Sequence, residues 1–268
     1  MKRIQSVVLI TMAVFLLLFN CATTGPGGKK SLILISTTDE VSIGQSMSKE
    51  VETQNKVFAD PVVENYINEL GQKLAGLSDR TDLPYHFKVL ESSDINAFAC
   101  PGGYIYLYSG LLKTMDNEAQ LAGVMAHEIG HVVARHSVKR LQQVLGIQVL
   151  LSIALGQSSE ITQQAVSTGV SVILQGYSRD NEYEADYDGA LYMTKAGYNP
   201  QGMIQLFQKF VEMEKDRKTT ALDKLFESHP PSTDRITRVQ EEIKSFNLGD
   251  HTLTFGQEEY QKIKSRIK

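Results

Sequence analysis

Through most of this chain apolar residues recur three and four apart, and in one central stretch they alternate instead. The first spacing marks amphipathic helices and the second marks strands. Helices are predicted over 40–58, from Asp60-Pro61 onward with Val63, Tyr66, Ile67, Leu70 and Leu74 inward, over 117–135, over 178–195, from Pro200, and from Ser232 to Ser245. Asp60 and Asn199 precede prolines and read as N-caps. Tyr85, Phe87 and Val89 alternate and predict a strand. Ala97 to Cys100 reads as a second strand, Pro101-Gly102-Gly103 as a turn and Tyr104 to Tyr108 as a third. Ser31 to Ser36 reads as a short strand, and Ser109 to Leu112 leads into the next helix. The expected class is α+β, mostly helical, with a small β-sheet before the 117–135 helix. Val144 to Leu155 is almost all apolar, and Ile161 to Leu174 is weaker. Each falls short of the ~18 apolar residues of a spanning helix. The pair reads as a buried core hairpin or as a membrane-contacting one.

Composition changes this picture little. With 42% hydrophobic and 22% charged residues, 268 residues suffice to bury a sizeable core. The net charge is -4 and no basic stretch is interleaved with aromatics, which argues against a nucleic-acid partner. The N-terminus adds more. Lys2 and Arg3 precede an apolar run from Val7 to Phe19, the form of a targeting segment. Leu18-Phe19-Asn20-Cys21 resembles a bacterial lipoprotein signal, with Cys21 as the lipidation site; a plain signal peptide or an N-terminal anchor is the other reading. The expected organisation is a signal segment over 1–20, a lipidated Cys and tether over 21–38, one main folded domain over 39–245 and a C-terminal tail over 246–268. Cys21 and Cys100 are the two cysteines, so a lipidated Cys21 leaves Cys100 without a disulfide partner.

The chemistry is concentrated at His127-Glu128-Ile129-Gly130-His131. On a helix, residues four apart share a face. His127 and His131 can therefore direct ring nitrogens at one zinc ion, while Glu128 stands beside it as a general base for a metal-bound water. A third ligand is needed. A histidine six residues past His131 would supply it in one zinc-peptidase pattern, but Ser137 stands there. His136, at about 100° per residue, is expected opposite His127 and reads as a surface histidine. The helix over 178–195 offers carboxylates instead: Glu182 as a ligand and Asp186, one turn on, as acceptor for the outer N–H of a ligand histidine. These acids can also be read as a solvated helix face.

His127-Glu128-x-x-His131 followed by Ser178-Arg179-x-x-Glu182-x-x-Ala185-Asp186 resembles the BepA, LoiP and HtpX group of membrane-associated zinc metallopeptidases. So do Asn96-Ala97-Phe98-Ala99-x-Pro101-Gly102-Gly103-Tyr104 and His229-Pro230-Pro231-Ser232-x-Asp234-Arg235. The resemblance runs from about Glu40 to Val239. It implies a gluzincin-type fold with one zinc on His127, His131 and Glu182, and Glu128 as base. His229 and Arg235 are candidates for stabilising the oxyanion, and the histidine matching His229 can also sit on the zinc as a reversible stopper. A histidine merely held extended by the two prolines is the other reading of His229. Substrate is expected to add as a strand along Asn96, Ala97, Phe98 and Ala99.

The resemblance further implies a lipid-anchored enzyme on the periplasmic side of the envelope, at the outer membrane. Unfolded or misassembled envelope proteins are its expected substrates, and the outer-membrane assembly machinery is an expected partner. A tetratricopeptide-repeat domain like that of BepA is not expected. A chaperone-like binding module with gated or slow proteolysis is the competing function.

Overall fold

The computed structural model describes residues 33–216, 220–230, 233–246 and 253–267. The expected targeting segment, Cys21 and the helix-capping reading of Ser232 lie outside the described residues. Three strands, β1 (His86–Leu90), β2 (Ala97–Cys100) and β3 (Tyr104–Tyr108), form one sheet in the order β1-β3-β2. β1 runs parallel to β3, and β2 runs antiparallel to β3 with Phe98 opposite Tyr106. β2 is thus an edge strand. Alternation decides where the strand side chains go. Ala97, Ala99, Ile105 and Leu107 join one apolar cluster. Phe98, Cys100, Tyr106 and Tyr108 join a second on the other face.

Helices cover both faces. Helix α1 (Thr37–Gln54) sends Ile43, Met47 and Val51 into the second cluster. Helix α2 (Pro61–Ala75) brings Val63, Ile67, Leu70 and Leu74 to the first. Its start is as the sequence predicts: the Asp60 carboxylate accepts from the backbone N–H of Val62 and Val63. After β3 comes a short separate helix, α3 (Ser109–Thr114), and then α4 (Glu118–Val133). Asn117 caps α4 by accepting from the Gln120 N–H at 3.0 Å. α4 is buried almost all round, because the sheet lies on one side and later helices on the other.

Three boundaries differ from the pattern. Ile33 to Ser36 is not a strand; Ser36 caps α1, and Ile33 and Ile35 are buried in the second cluster. The first helix stops at Gln54, and Val57 pairs with Leu90 as an isolated bridge. The 117–135 helix ends at Val133, because Arg135 takes a left-handed conformation (φ 55, ψ 34) and a new helix, α5 (His136–Leu145), leaves in another direction.

The apolar region forms α6 (Ile147–Ala154) and α7 (Glu160–Leu174). Leu150, Ile153, Val170 and Ile173 are buried in the second cluster, whereas Leu155 and Ile161, at the turn, are 72% and 73% exposed. No helix among the described residues is long and apolar enough to cross a membrane. Helix α8 (Arg179–Lys195) lies along α4 and carries the carboxylates; Ser178 caps it. Helices α9 (Gln201–Asp216), α10 (Asp223–Ser228) and α11 (Thr233–Ser245) follow. The segment read as a tail carries α12 (Gln257–Lys264), whose Tyr260 is buried and donates to the Leu112 carbonyl at 2.6 Å.

Candidate metal centre

The site forms where α4 meets α8, and two glycines allow the meeting. A Cβ on Gly189 would stand 2.9 Å from the backbone nitrogen of His127, and one on Gly130 would stand 3.1 Å from Ala185. With hydrogen at both positions the two helix backbones approach closely enough for the α8 carboxylates to reach the α4 histidines. His127 Nε2 and His131 Nε2 lie 3.0 Å apart. Glu182 Oε1 lies 3.3 Å from His131 Nε2, and its Oε2 lies 3.6 Å from His127 Nε2. His229, just past α10, places Nδ1 3.3 Å from His127 Nε2 and 3.1 Å from both Glu182 oxygens. Ligand-type atoms of His127, His131, Glu182 and His229 all fall within 4.8 Å of one another, and all four residues are buried.

This donor set fits a metal ion. Two imidazole nitrogens converge on one point with a carboxylate beside them, an arrangement that is costly in a buried site unless a cation or shared protons occupy the middle. Nitrogen and oxygen donors in this ratio suit zinc and its neighbours in the first transition series. Glu128 is buried beside the cluster. Its Oε1 lies 3.5 Å from His229 Nε2, and its Oε2 has no hydrogen-bond partner among the described residues. Burial raises the Glu128 carboxyl above the usual range, against the pull of His229 and His127. A raised carboxyl is what a general base near neutrality needs.

Charge behind the cluster is arranged by α11. Arg235 donates through Nε and Nη2 to Asp186 at 2.7 and 2.6 Å, and its Nη1 lies 3.0 Å from Glu182. Asp186 Oδ1 in turn lies 2.9 Å from His127 Nδ1. Burial opposes ionisation of both acids. Arg235 outweighs it at Asp186, and His229 with Arg235 outweighs it at Glu182; both carboxyls are held low, Glu182 well below its ordinary value. At His229 burial is likewise outweighed, by Glu182 and Glu128, and the imidazole is raised to about 9. Arg235, read from the sequence as an oxyanion partner, therefore gives most of its donors to two carboxylates.

His136 is the clear correction. It is 1% exposed, not on the surface, and its Nδ1 lies 2.9 Å from His131 Nδ1. The left-handed Arg135 breaks the 100° progression on which the surface expectation rested. Tyr177, which the sequence did not single out, stacks on His131 at 4.2 Å between ring centroids. Its hydroxyl lies 2.9 Å from Ser137 Oγ, which donates to the Ala99 carbonyl. No sequence signal marks either contact, because each joins segments far apart in the chain.

The strand residues expected to meet substrate divide. The Asn96 side chain accepts from Ser228 Oγ at 3.1 Å, and Phe98 stacks on Tyr106 within the second cluster. The Asn96 carbonyl accepts from the Tyr108 N–H. By antiparallel alternation the backbone groups of Ala97 and Ala99 therefore face the outer edge of β2. Ala97 also lines an apolar pocket, partly open to solvent and holding about 490 Å³ of empty space with that solvent included, together with Val124, Met203, Leu206 and Phe207; His127, Glu128, His229 and Arg235 form part of its wall. Cys100 is buried and its thiol is pushed up to about 12 by burial, so it packs as a small apolar group.

The sequence profile described as peptidase family M48 matches residues 61–243. The beta-barrel assembly-enhancing protease of Escherichia coli is 31% identical over 212 residues, which is 75% of this chain and 43% of that protein. The E. coli metalloprotease YcaL is 30% identical over 221 residues, 79% of this chain and 82% of that protein. The E. coli metalloprotease LoiP is 31% identical over 183 residues, 66% of this chain and 68% of that protein. The chain thus spans about half the length of the assembly-enhancing relatives it matches.

Proposed function

The chain belongs to peptidase family M48 and is a metalloprotease of that family, and from this premise we propose that it is a zinc endopeptidase of the bacterial cell envelope. The observation that carries the reading is the buried convergence of His127, His131 and Glu182 with the unpartnered Glu128 oxygen beside them. His127, His131 and Glu182 would hold the ion. Zinc bound there supplies a water of lowered pKa and polarisation of the scissile carbonyl. Glu128 takes the proton from the attacking water and returns it to the leaving amine. Asp186 keeps the His127 proton on Nδ1 and so presents Nε2 as a lone pair; Arg235 keeps Asp186 and Glu182 ionised.

His229 stands where a fourth ligand would stand. A catalytic zinc site keeps one position open. The arrangement supports a resting state in which His229 closes the site, and a working state in which it withdraws and donates to the developing oxyanion. Substrate adds to the outer edge of β2 at Ala97, where backbone pairing tolerates many sequences, with an apolar side chain in the adjoining cavity.

The substrates proposed are unfolded or misassembled envelope proteins. The names of the assembly-enhancing relatives support an association with outer-membrane protein assembly. Lipidation of Cys21 and attachment to the outer membrane are supported by the targeting segment alone, and a Cys21→Ser variant that stays membrane-bound would remove the lipid anchor from the proposal.

The test uses the full-length chain in detergent with casein as substrate, with zinc content measured alongside. Cleavage with about one zinc per chain, reduced at least ~100-fold in Glu128→Gln with zinc retained, is the expected result. Faster cleavage by His229→Ala would support the closing role. Zinc bound without cleavage in both wild type and His229→Ala would favour a chaperone-like module. Absence of zinc would end the reading.

A further inference from the structure

We propose that His136 is a positioning residue for the metal ligand His131, joining it to Glu184 so that the three side chains form one line of hydrogen bonds ending at the metal site. The inference rests on the proposed reading of His131 as a ligand. His131 Nδ1 and His136 Nδ1 are 2.9 Å apart, and His136 Nε2 is 3.3 Å from Glu184 Oε2. His131 and His136 are buried, whereas the Glu184 side chain is 13% exposed.

Proton counting gives the line one consistent direction. Two ring nitrogens facing each other need one N–H and one lone pair between them. If His131 Nε2 is a lone pair for the metal, its proton sits on Nδ1 and donates to His136. His136 Nδ1 is then the acceptor, its proton is on Nε2, and Nε2–H donates to the Glu184 carboxylate. Each ring is neutral, every nitrogen is used, and the line ends in an anion. Reversing it would put a proton on the metal side of His131 and leave His136 Nε2 lone pair facing a carboxylate, two unfavourable contacts at once.

The backbone is built to hold this arrangement. His136 reaches back only because Arg135 adopts φ 55, an uncommon conformation for a residue with a side chain. That turn is fixed from outside the site. Arg135 Nη2 donates to the Ile35 carbonyl at 2.6 Å, and its Nε lies 2.8 Å from Glu40. A locally costly conformation persists when its surroundings determine it in this way. Tyr177, stacked on the face of His131, limits the ring to the plane in which Nδ1 meets His136.

The closing experiment measures zinc affinity by chelator competition for the full-length wild type, His136→Ala, His136→Gln and Glu184→Gln. Loss of such an outer partner should weaken zinc binding about 10- to 100-fold in His136→Ala. Glutamine can accept with its amide oxygen and donate with its amide nitrogen, so His136→Gln should recover most of the affinity. Glu184→Gln, a change at the partly exposed end, should lower it a few-fold. Wild-type affinity in His136→Ala would overturn the proposal. So would equal losses in the alanine and glutamine variants, which would mark a packing role only. If His136→Ala does not fold, unchanged affinity in Glu184→Gln overturns it. A wild type that binds no zinc would instead remove the metal reading itself, so the two failures are distinguishable.

Discussion

The two α4 histidines face the same point but are held from behind in opposite ways. His127 is backed by an ionic pair: Asp186 from α8, gripped by Arg235 from α11, with all three buried. His131 is backed by an uncharged ring from the next turn of chain, His136, and only at its far end by the partly exposed Glu184. The ionic side holds charge in a low-dielectric place, where pairing is strong and an unpaired partner is expensive. The neutral side carries little energetic risk. It depends on the shape of one backbone turn.

Arg235→Leu is the change expected to break the comparison most. It leaves Asp186 and Glu182 as buried anions without their guanidinium, at a cost of about 3–5 kcal/mol. Thermal unfolding of the metal-free protein should show this; a variant as stable as wild type would mean that the ionic side is no more demanding than the neutral one. The mirror change, Glu184→Gln, should leave the stability of the metal-free protein within about 0.5 kcal/mol, as for a partly exposed site. Denaturant titration checks it.

The meeting of α4 and α8 supports both sides, so disturbing it should affect both. Gly189→Ala places a methyl group against the His127 backbone, which cannot yield as a side chain would. A loss of about 1–3 kcal/mol is expected, together with weaker zinc binding, read in parallel by melting and chelator competition.

A smaller effect concerns Asp188, which is fully buried on α8 with neither carboxyl oxygen hydrogen-bonded among the described residues. Burial, with the repulsion of Glu184 and Asp79, raises it to about 8. The folded state therefore holds a proton that the unfolded chain releases near the ordinary carboxyl value. Stability from this group is full at low pH and falls as pH rises from about 4 towards 8. Asp188→Asn should remove that fall and exceed wild type by roughly 1 kcal/mol or more at pH 8 relative to pH 5. Melting curves at the two pH values would show it, and equal pH dependence in both proteins would contradict it.

Local chemistry made much of this legible beforehand. Asp60-Pro61 fixes the start of α2, and the spacing of His127 and His131 puts both on one helix face whatever surrounds them. Glu182 and Asp186 are legible as a pair because they too stand four apart. Alternation finds the first strand and the short apolar runs on either side of Pro101-Gly102-Gly103 find the other two, though not their order: placing β3 between β1 and β2 depends on long-range pairing.

His136 shows the limit. Its distance from His131 is visible in the sequence, but its direction is set by the φ of Arg135. That angle is held by Ile35 and Glu40, some hundred residues earlier in the chain. The same holds for Arg235, whose choice of Asp186 and Glu182 depends on how α11 is brought against α8. By itself the sequence determined which residue types lie on which helix faces, and with that the metal chemistry, because helix and strand periods are local properties of the backbone. Only the tertiary structure decided what stands behind each candidate ligand and how closely the helices meet, because those depend on burial and on contacts between segments far apart in the chain.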